Sequence, residues 1–148
     1  MIIFIPVILK ELFELGRKYP WKRPKSCPKC GNIRVWVHAY SPALFDGFSK
    51  PLLLKLYRCP CCGCIIRLRP DSHFSRFQAS IHEIRSTLSI RIKTGRWPKG
   101  RSGPRPRHWL RSLKRKILAL LDNSWEEGLI RGFDHLAIQG HTPVSRSI

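Results

Sequence analysis

The chain has 148 residues, with 28 Lys and Arg against nine Asp and Glu and a formal net charge of +19. That length supports one modest domain, or a small metal module with a helical companion. The charge excludes an acidic or neutral surface and points to a polyanionic partner, because each neutralised phosphate releases counterions. The excess is concentrated: Lys and Arg outnumber Asp and Glu by seven over residues 17–34 and by nine over residues 96–116. Charge alone does not separate DNA from RNA.

Along the chain, Ile2 to Ile5 predicts a short strand and the next residues a helical turn or two, with Leu9, Leu12, Phe13 and Leu15 on one apolar face. Gly16 is the expected stop, and the segment reads as a packing arm. The apolar run Met1 to Leu9 has no basic flank before it and no small-residue cleavage site after it, and it is too short to span a bilayer. Residues 17–26 are basic, and Pro20 and Pro24 forbid a helix there. Lys22, Arg23 and Lys25 are candidates to lie along a phosphate backbone, beside the plainer reading of a solvated linker. The first segment is thus 1–26.

Two copies of one pattern follow, Cys-Pro-Lys-Cys-Gly at 27–31 and Cys-Pro-Cys-Cys-Gly at 59–63. Each Cys-x-x-Cys aims two thiolates at one ion, and four thiolates complete the closed tetrahedral shell of a structural Zn²⁺ site. The glycine after each pair permits the chain to turn back past the metal. Cys27, Cys30, Cys59 and Cys62 are the favoured ligands. Cys61 and Cys64 form a second Cys-x-x-Cys without the proline and glycine and stay open as alternatives. With the favoured set, Cys64 is expected in the core and Cys61 exposed. Spacing of this kind argues for a reduced, cytoplasmic, metal-binding chain and against a secreted disulfide scaffold.

Between and after the cysteine pairs, period-2 alternation predicts strands. Ile33, Val35, Val37 and Ala39 alternate with Arg34, Trp36, His38 and Tyr40, residues 41–51 are the turn-rich connection, Leu52 to Arg58 return, and Ile65 to Arg69 give a third strand. The expected module, 27–71, is a zinc ribbon of rubredoxin-knuckle type with three short antiparallel strands.

Beyond Asp71 the period becomes helical. Phe74, Phe77, Ile81, Ile84, Leu88 and Ile92 predict a helix of about five turns capped by Ser72. The stretch 95–106 is rich in Gly, Pro and Arg and cannot be helical. A second helix is expected from about Pro106 to Leu121, burying Trp109, Leu113 and Ile117 and turning Arg107, Arg111, Lys114 and Arg115 outward. Ser124 and Glu127 match a capping box and predict a third helix through Trp125, Leu129, Phe133 and Leu136, ended by Gly140. The fold class expected is small α+β, with a three-helix, helix-turn-helix-like unit over 72–140 and a tail at 141–148.

The second helix carries the nucleic-acid expectation. A helix fits the major groove, and Arg bonds guanine bidentately there. Arg105, Arg107, His108 and Arg111 are candidate readers, and Lys114, Arg115 and Lys116 suit phosphates. The adjoining basic loop adds Arg96, Lys99 and Arg101, with Trp97 as the best base-stacking candidate and Trp21 the next. The bland alternative is a solvated basic face. An enzyme would need converging carboxylates for Mg²⁺, and the acids are scattered. Asp134-His135 matches the start of a His-Asn-His nuclease motif, but too few residues follow to complete it. No catalytic residues are assigned.

Cys-Pro-Lys-Cys-Gly, the Trp36-x-His38 strand, Tyr-Arg-Cys-Pro-Cys-Cys-Gly, Arg-Leu-Arg-Pro and Arg107-His108-Trp109-Leu110 together resemble the N-terminal zinc ribbon and helix-turn-helix of bacterial insertion-element transposases and small proteins related to them. The resemblance covers residues 25–121. It implies a bacterial, nucleoid-associated, non-catalytic protein that binds double-stranded DNA in preference to RNA, with a protein partner in a transposition or nucleoprotein machine and no membrane. The catalytic domain of a full transposase has no counterpart here. A structural or assembly subunit holding RNA or a protein partner is the rival expectation.

Overall fold

A computed structural model describes residues 1–146, so the last two residues of the expected tail, 147–148, lie outside the described residues. The elements run β1 (Ile2–Ile5), α1 (Leu9–Leu15), β2 (Trp36–Ala43), β3 (Leu52–Arg58), β4 (Ile65–Pro70), α2 (Ile81–Thr94), α3 (Pro104–Leu121) and α4 (Leu129–Ile138). Among the described residues this is a small α+β fold with a four-stranded mixed sheet and four α-helices. It divides into two compact units, residues 1–79 and the chain from Ser80 onward. Among the described residues no helix is long and apolar enough to cross a membrane.

In the first unit the strand order is β1-β4-β3-β2. The β2-β3-β4 part is antiparallel, as the alternation predicts, with Val37 opposite Tyr57 and Tyr57 opposite Ile66. Strand β1 adds in parallel to β4, pairing Ile2 with Arg67 and Ile5 with Pro70. The expected packing arm thus contributes a strand to the sheet, and residues 1–26 fall within the first unit. Leu54 and Tyr57 point to opposite faces of β3 by strand alternation, and both are buried. Both faces of this central strand are thus covered. Helix α1 packs on β3 and supplies Leu12 to the core, whereas Phe13 and Leu15 of the expected apolar face are exposed.

Three details of the first unit correct the sequence reading. Strand β2 starts at Trp36 and runs to Ala43, into the expected connection. Its register shifts between Val37 and Ala39, and such an irregularity breaks the period of two. Val35 is buried while Ile33 is 80% exposed. Trp21 lies in the core with its ring edge-on to Tyr19 at 5.1 Å, so the 17–26 segment is pinned and Trp21 is no stacking platform.

In the second unit α2, α3 and α4 pack on one another around Leu88, Trp109, Leu113, Phe133 and Leu136. Helix α2 begins at Ile81, not near Phe74, and residues 71–80 are turns. The operative cap is Ser80, whose side chain accepts from Glu83 N at 3.1 Å. Gly95 ends α2 in the left-handed region, where its N–H reaches Arg91 O. Helix α3 starts at Pro104, two residues earlier than expected. Helix α4 starts at Leu129: Ser124 caps nothing, and Trp125 Nε1 instead donates to Gly128 O at 2.9 Å, closing a turn. The start of the tail is structured, with Val144 fully buried and Ser145 N donating to Ser112 Oγ at 2.9 Å.

Candidate functional site

The two cysteine patterns fold into matching turns. Gly31 N donates to Cys27 O and Gly63 N to Cys59 O, each at 2.9 Å. Cys27 N donates to Asn32 O at 2.8 Å and Cys59 N to Cys64 O at 2.9 Å, fastening the far side of each turn. Gly31 and Gly63 have φ of 76° and 71°, the left-handed region that glycine enters without strain. The first turn precedes β2, and the second connects β3 to β4.

These turns bring Cys27, Cys30, Cys59 and Cys62 together, with all four sulfurs within 4.8 Å of one another. Across the turns, Cys27 and Cys62 sulfurs lie 3.6 Å apart and Cys30 and Cys59 sulfurs 3.5 Å apart. All six cysteines are free thiols, and these separations are far above the ~2.05 Å of a disulfide. A tetrahedron of sulfurs with bonds of ~2.3 Å to a central Zn²⁺ has edges of about 3.8 Å. The donor set and its spacing fit a metal ion held by these four residues. Cys61 is exposed and outside the cluster, and Cys64, half-buried against the core, donates weakly to Ile65 O at 3.6 Å.

Protonation within the quartet is asymmetric. Backbone N–H groups of Cys30 first, and also of Lys29, hold the Cys27 thiol down to about 6 against the effect of burial. Cys59 is lowered in the same way, chiefly by the Cys62 N–H. For Cys30 the Asn32 N–H acts downward, but the Cys59 sulfur and the other thiols push it up to about 12. Cys62 is also raised: the Cys64 N–H lowers it, and burial and Cys27 outweigh that. The first cysteine of each turn is thus shifted toward the thiolate and the second away from it, and a bound cation would favour the thiolate form of all four.

The basic candidates divide into free and committed groups. On α3, Arg107, Arg111, Lys114 and Arg115 are exposed on the outward side, and among the described residues none makes an ion pair. Lys22, Arg23 and Lys25 are exposed in the first unit, with the Arg23 guanidinium 5.9 Å from the Tyr57 ring centroid. Arg96 and Lys99 are exposed in the 95–103 loop. Arg101 is committed, its Nε 3.5 Å from a Glu83 carboxylate oxygen and a terminal nitrogen donating to Thr87 Oγ1 at 3.3 Å. Arg105 lies over the Trp109 ring at 5.1 Å. His108 is half-buried with Nε2 enclosed. Lys116 is engaged within the fold, its ammonium donating to Thr142 O at 2.6 Å and Val144 O at 3.2 Å. Trp97 is half-buried beneath Arg91, whose guanidinium lies 5.3 Å from the ring centroid. Arg91 escaped the sequence reading because it sits on a helix interpreted only through its apolar stripe.

No family model, curated protein or solved structure matches this chain.

Proposed function

We propose that this chain is a non-catalytic DNA-binding protein, built on a rubredoxin-type zinc ribbon and a helix-turn-helix-like unit. It acts as an accessory or regulatory protein of a mobile genetic element, cytoplasmic and nucleoid-associated, with duplex DNA as its nucleic acid. Zn²⁺, held by Cys27, Cys30, Cys59 and Cys62, serves structure: four thiolates leave no position for a reacting water.

The observation that carries the reading is the outward side of α3. Arg107, Arg111, Lys114 and Arg115 fall at spacings of four, three and one along one helix and have no carboxylate partner among the described residues. Positive charge left unneutralised on a rigid element is suited to phosphate oxygens, and arginines near a helix N-terminus are suited to base edges. The non-catalytic part is supported by Asp134, which is held bidentately by Arg85 at 2.8 Å through both oxygens and so is engaged as a structural ion pair.

Filter binding of the zinc-loaded full chain to duplex DNA, single strands and structured RNA across a salt series tests this. A preferred duplex sequence, and a salt slope that shrinks by about one when Arg111 becomes Ala, is the expected outcome. Equal binding to every polyanion favours a nucleoprotein assembly subunit instead. Mg²⁺-dependent strand cleavage would contradict the non-catalytic assignment.

A further inference from the structure

The last turn of α2, the 95–103 loop and the N-terminal half of α3 border an open groove of about 520 Å³ lined by Arg91, Trp97, Arg107, Leu110 and Arg111. That lies within the ~300–1,000 Å³ typical of small-ligand sites. Three of these five residues are arginines and none is acidic. Among the described residues no carboxylate pairs with Arg91, Arg107 or Arg111. The loop that carries Trp97 is fastened at both ends. Thr94 Oγ1 donates to Ile90 O at 2.7 Å and accepts from Arg96 N at 3.3 Å, while Arg101 reaches back to Glu83 and Thr87.

The composition of the wall selects among ligands. A free phosphate would engage the guanidinium groups but has no use for an indole and a leucine beside them. A nucleotide uses both halves. Bases stack on indole and on guanidinium planes, and phosphates pair with arginine. Arg107 and Arg111 stand one turn apart, an axial rise of about 6 Å, which suits successive phosphates of one strand.

We propose that this groove takes a single unstacked nucleotide of a nucleic-acid strand, its base against Trp97 and Leu110 and its flanking phosphates on Arg107 and Arg111. The proposal rests on the nucleic-acid role above and adds to it. Fully paired duplex keeps its bases stacked, so the groove is filled only where a base is extruded or unpaired.

Fluorescence anisotropy with the zinc-loaded full chain tests this on three short duplexes: fully paired, carrying one bulged nucleotide, and carrying the same bulge as an abasic sugar. The wild type is expected to bind the base-bearing bulge about tenfold tighter than the abasic one. Trp97→Ala should bring that ratio to about one, and Trp97→Phe, which keeps an aromatic face and protects against a folding defect in the alanine variant, should retain most of it. A wild-type ratio of one with the paired duplex still bound overturns the groove assignment and leaves the DNA-binding reading standing. A ratio that survives Trp97→Ala overturns the role of Trp97. Failure to bind any of the three duplexes overturns both readings.

Discussion

Gly132 of α4 and Ile117 of α3 approach so closely that a Cβ on Gly132 would lie 2.5 Å from Ile117 Cδ1 and 2.9 Å from its Cγ1. It would also lie 3.2 Å from Trp125 Nε1, which the bond to Gly128 O holds in place. Alanine is the better helix former by ~1 kcal/mol, but overpacking a fixed contact costs ~1–3 kcal/mol. Gly132→Ala should therefore destabilise by about 1 kcal/mol in urea unfolding. Ile117→Val, which removes Cδ1, should relieve much of that loss in the double variant, giving a coupling that independent sites would not show.

The cap at Ser80 and the false cap at Ser124 make a matched pair. Ser80→Ala removes the bond to Glu83 N and should cost about 1 kcal/mol. Ser124→Ala, an exposed position with no helix to cap, should stay within about 0.5 kcal/mol of wild type. Equal losses at the two sites would contradict the observed helix starts.

Two lysines on α3 separate structure from binding. Lys116 is tied to the tail carbonyls of Thr142 and Val144, and burial lowers its ammonium pKa from the ordinary value. Lys114 is exposed. Lys116→Ala should lower the melting temperature and leave the salt slope of DNA binding unchanged. Lys114→Ala should do the reverse, reducing the slope by about one.

His73 gives the first unit a pH dependence. Burial first, then the nearby Arg69, lowers its pKa below the ordinary 6.5, against smaller upward effects from Gln78 and Asp46. Its ring packs edge-on to Phe45 at 4.9 Å, and Nδ1 pairs with Ser72 Oγ at 2.8 Å. The unfolded chain takes up a proton near 6.5 that the folded ring resists, so stability is lost as pH falls below that value. Thermal melts of wild type and His73→Phe, both zinc-loaded, from about pH 8 to about pH 5, check this. The wild type should lose more than the variant on acidification, and parallel curves would contradict the assignment.

The cysteine turns were legible because their chemistry is local: five residues specify the turn, the glycine and both sulfurs. Strands β3 and β4 were legible for a similar reason, each being a short run rich in apolar residues that ends at a turn. The start of α2 was misread because Phe74 and Phe77 continue the helical spacing by coincidence. Phe77 is buried within the first unit instead, and Arg76 has a φ of 65°, outside any right-handed helix. Ser80 with Glu83 carried the correct signal, in the same form that misled at Ser124 and Glu127. There Gly128, at φ of 88°, separates the motif from the helix. The parallel β1–β4 pairing and the docking of Val144 join residues far apart in the chain, and periodicity is silent about such contacts. At the basic surface the sequence showed which residues are charged. It did not show that Arg101 and Lys116 are consumed internally, because their partners are set by tertiary packing.

Metal content of protein purified under reducing conditions tests the central claim most directly. One tightly bound zinc per chain is expected in the wild type and in the Cys61→Ser/Cys64→Ser double variant, and none in Cys27→Ser/Cys62→Ser, whose sulfurs lie 3.6 Å apart within the cluster. Wild-type protein without bound metal, or zinc lost on replacing Cys61 and Cys64, would contradict the account.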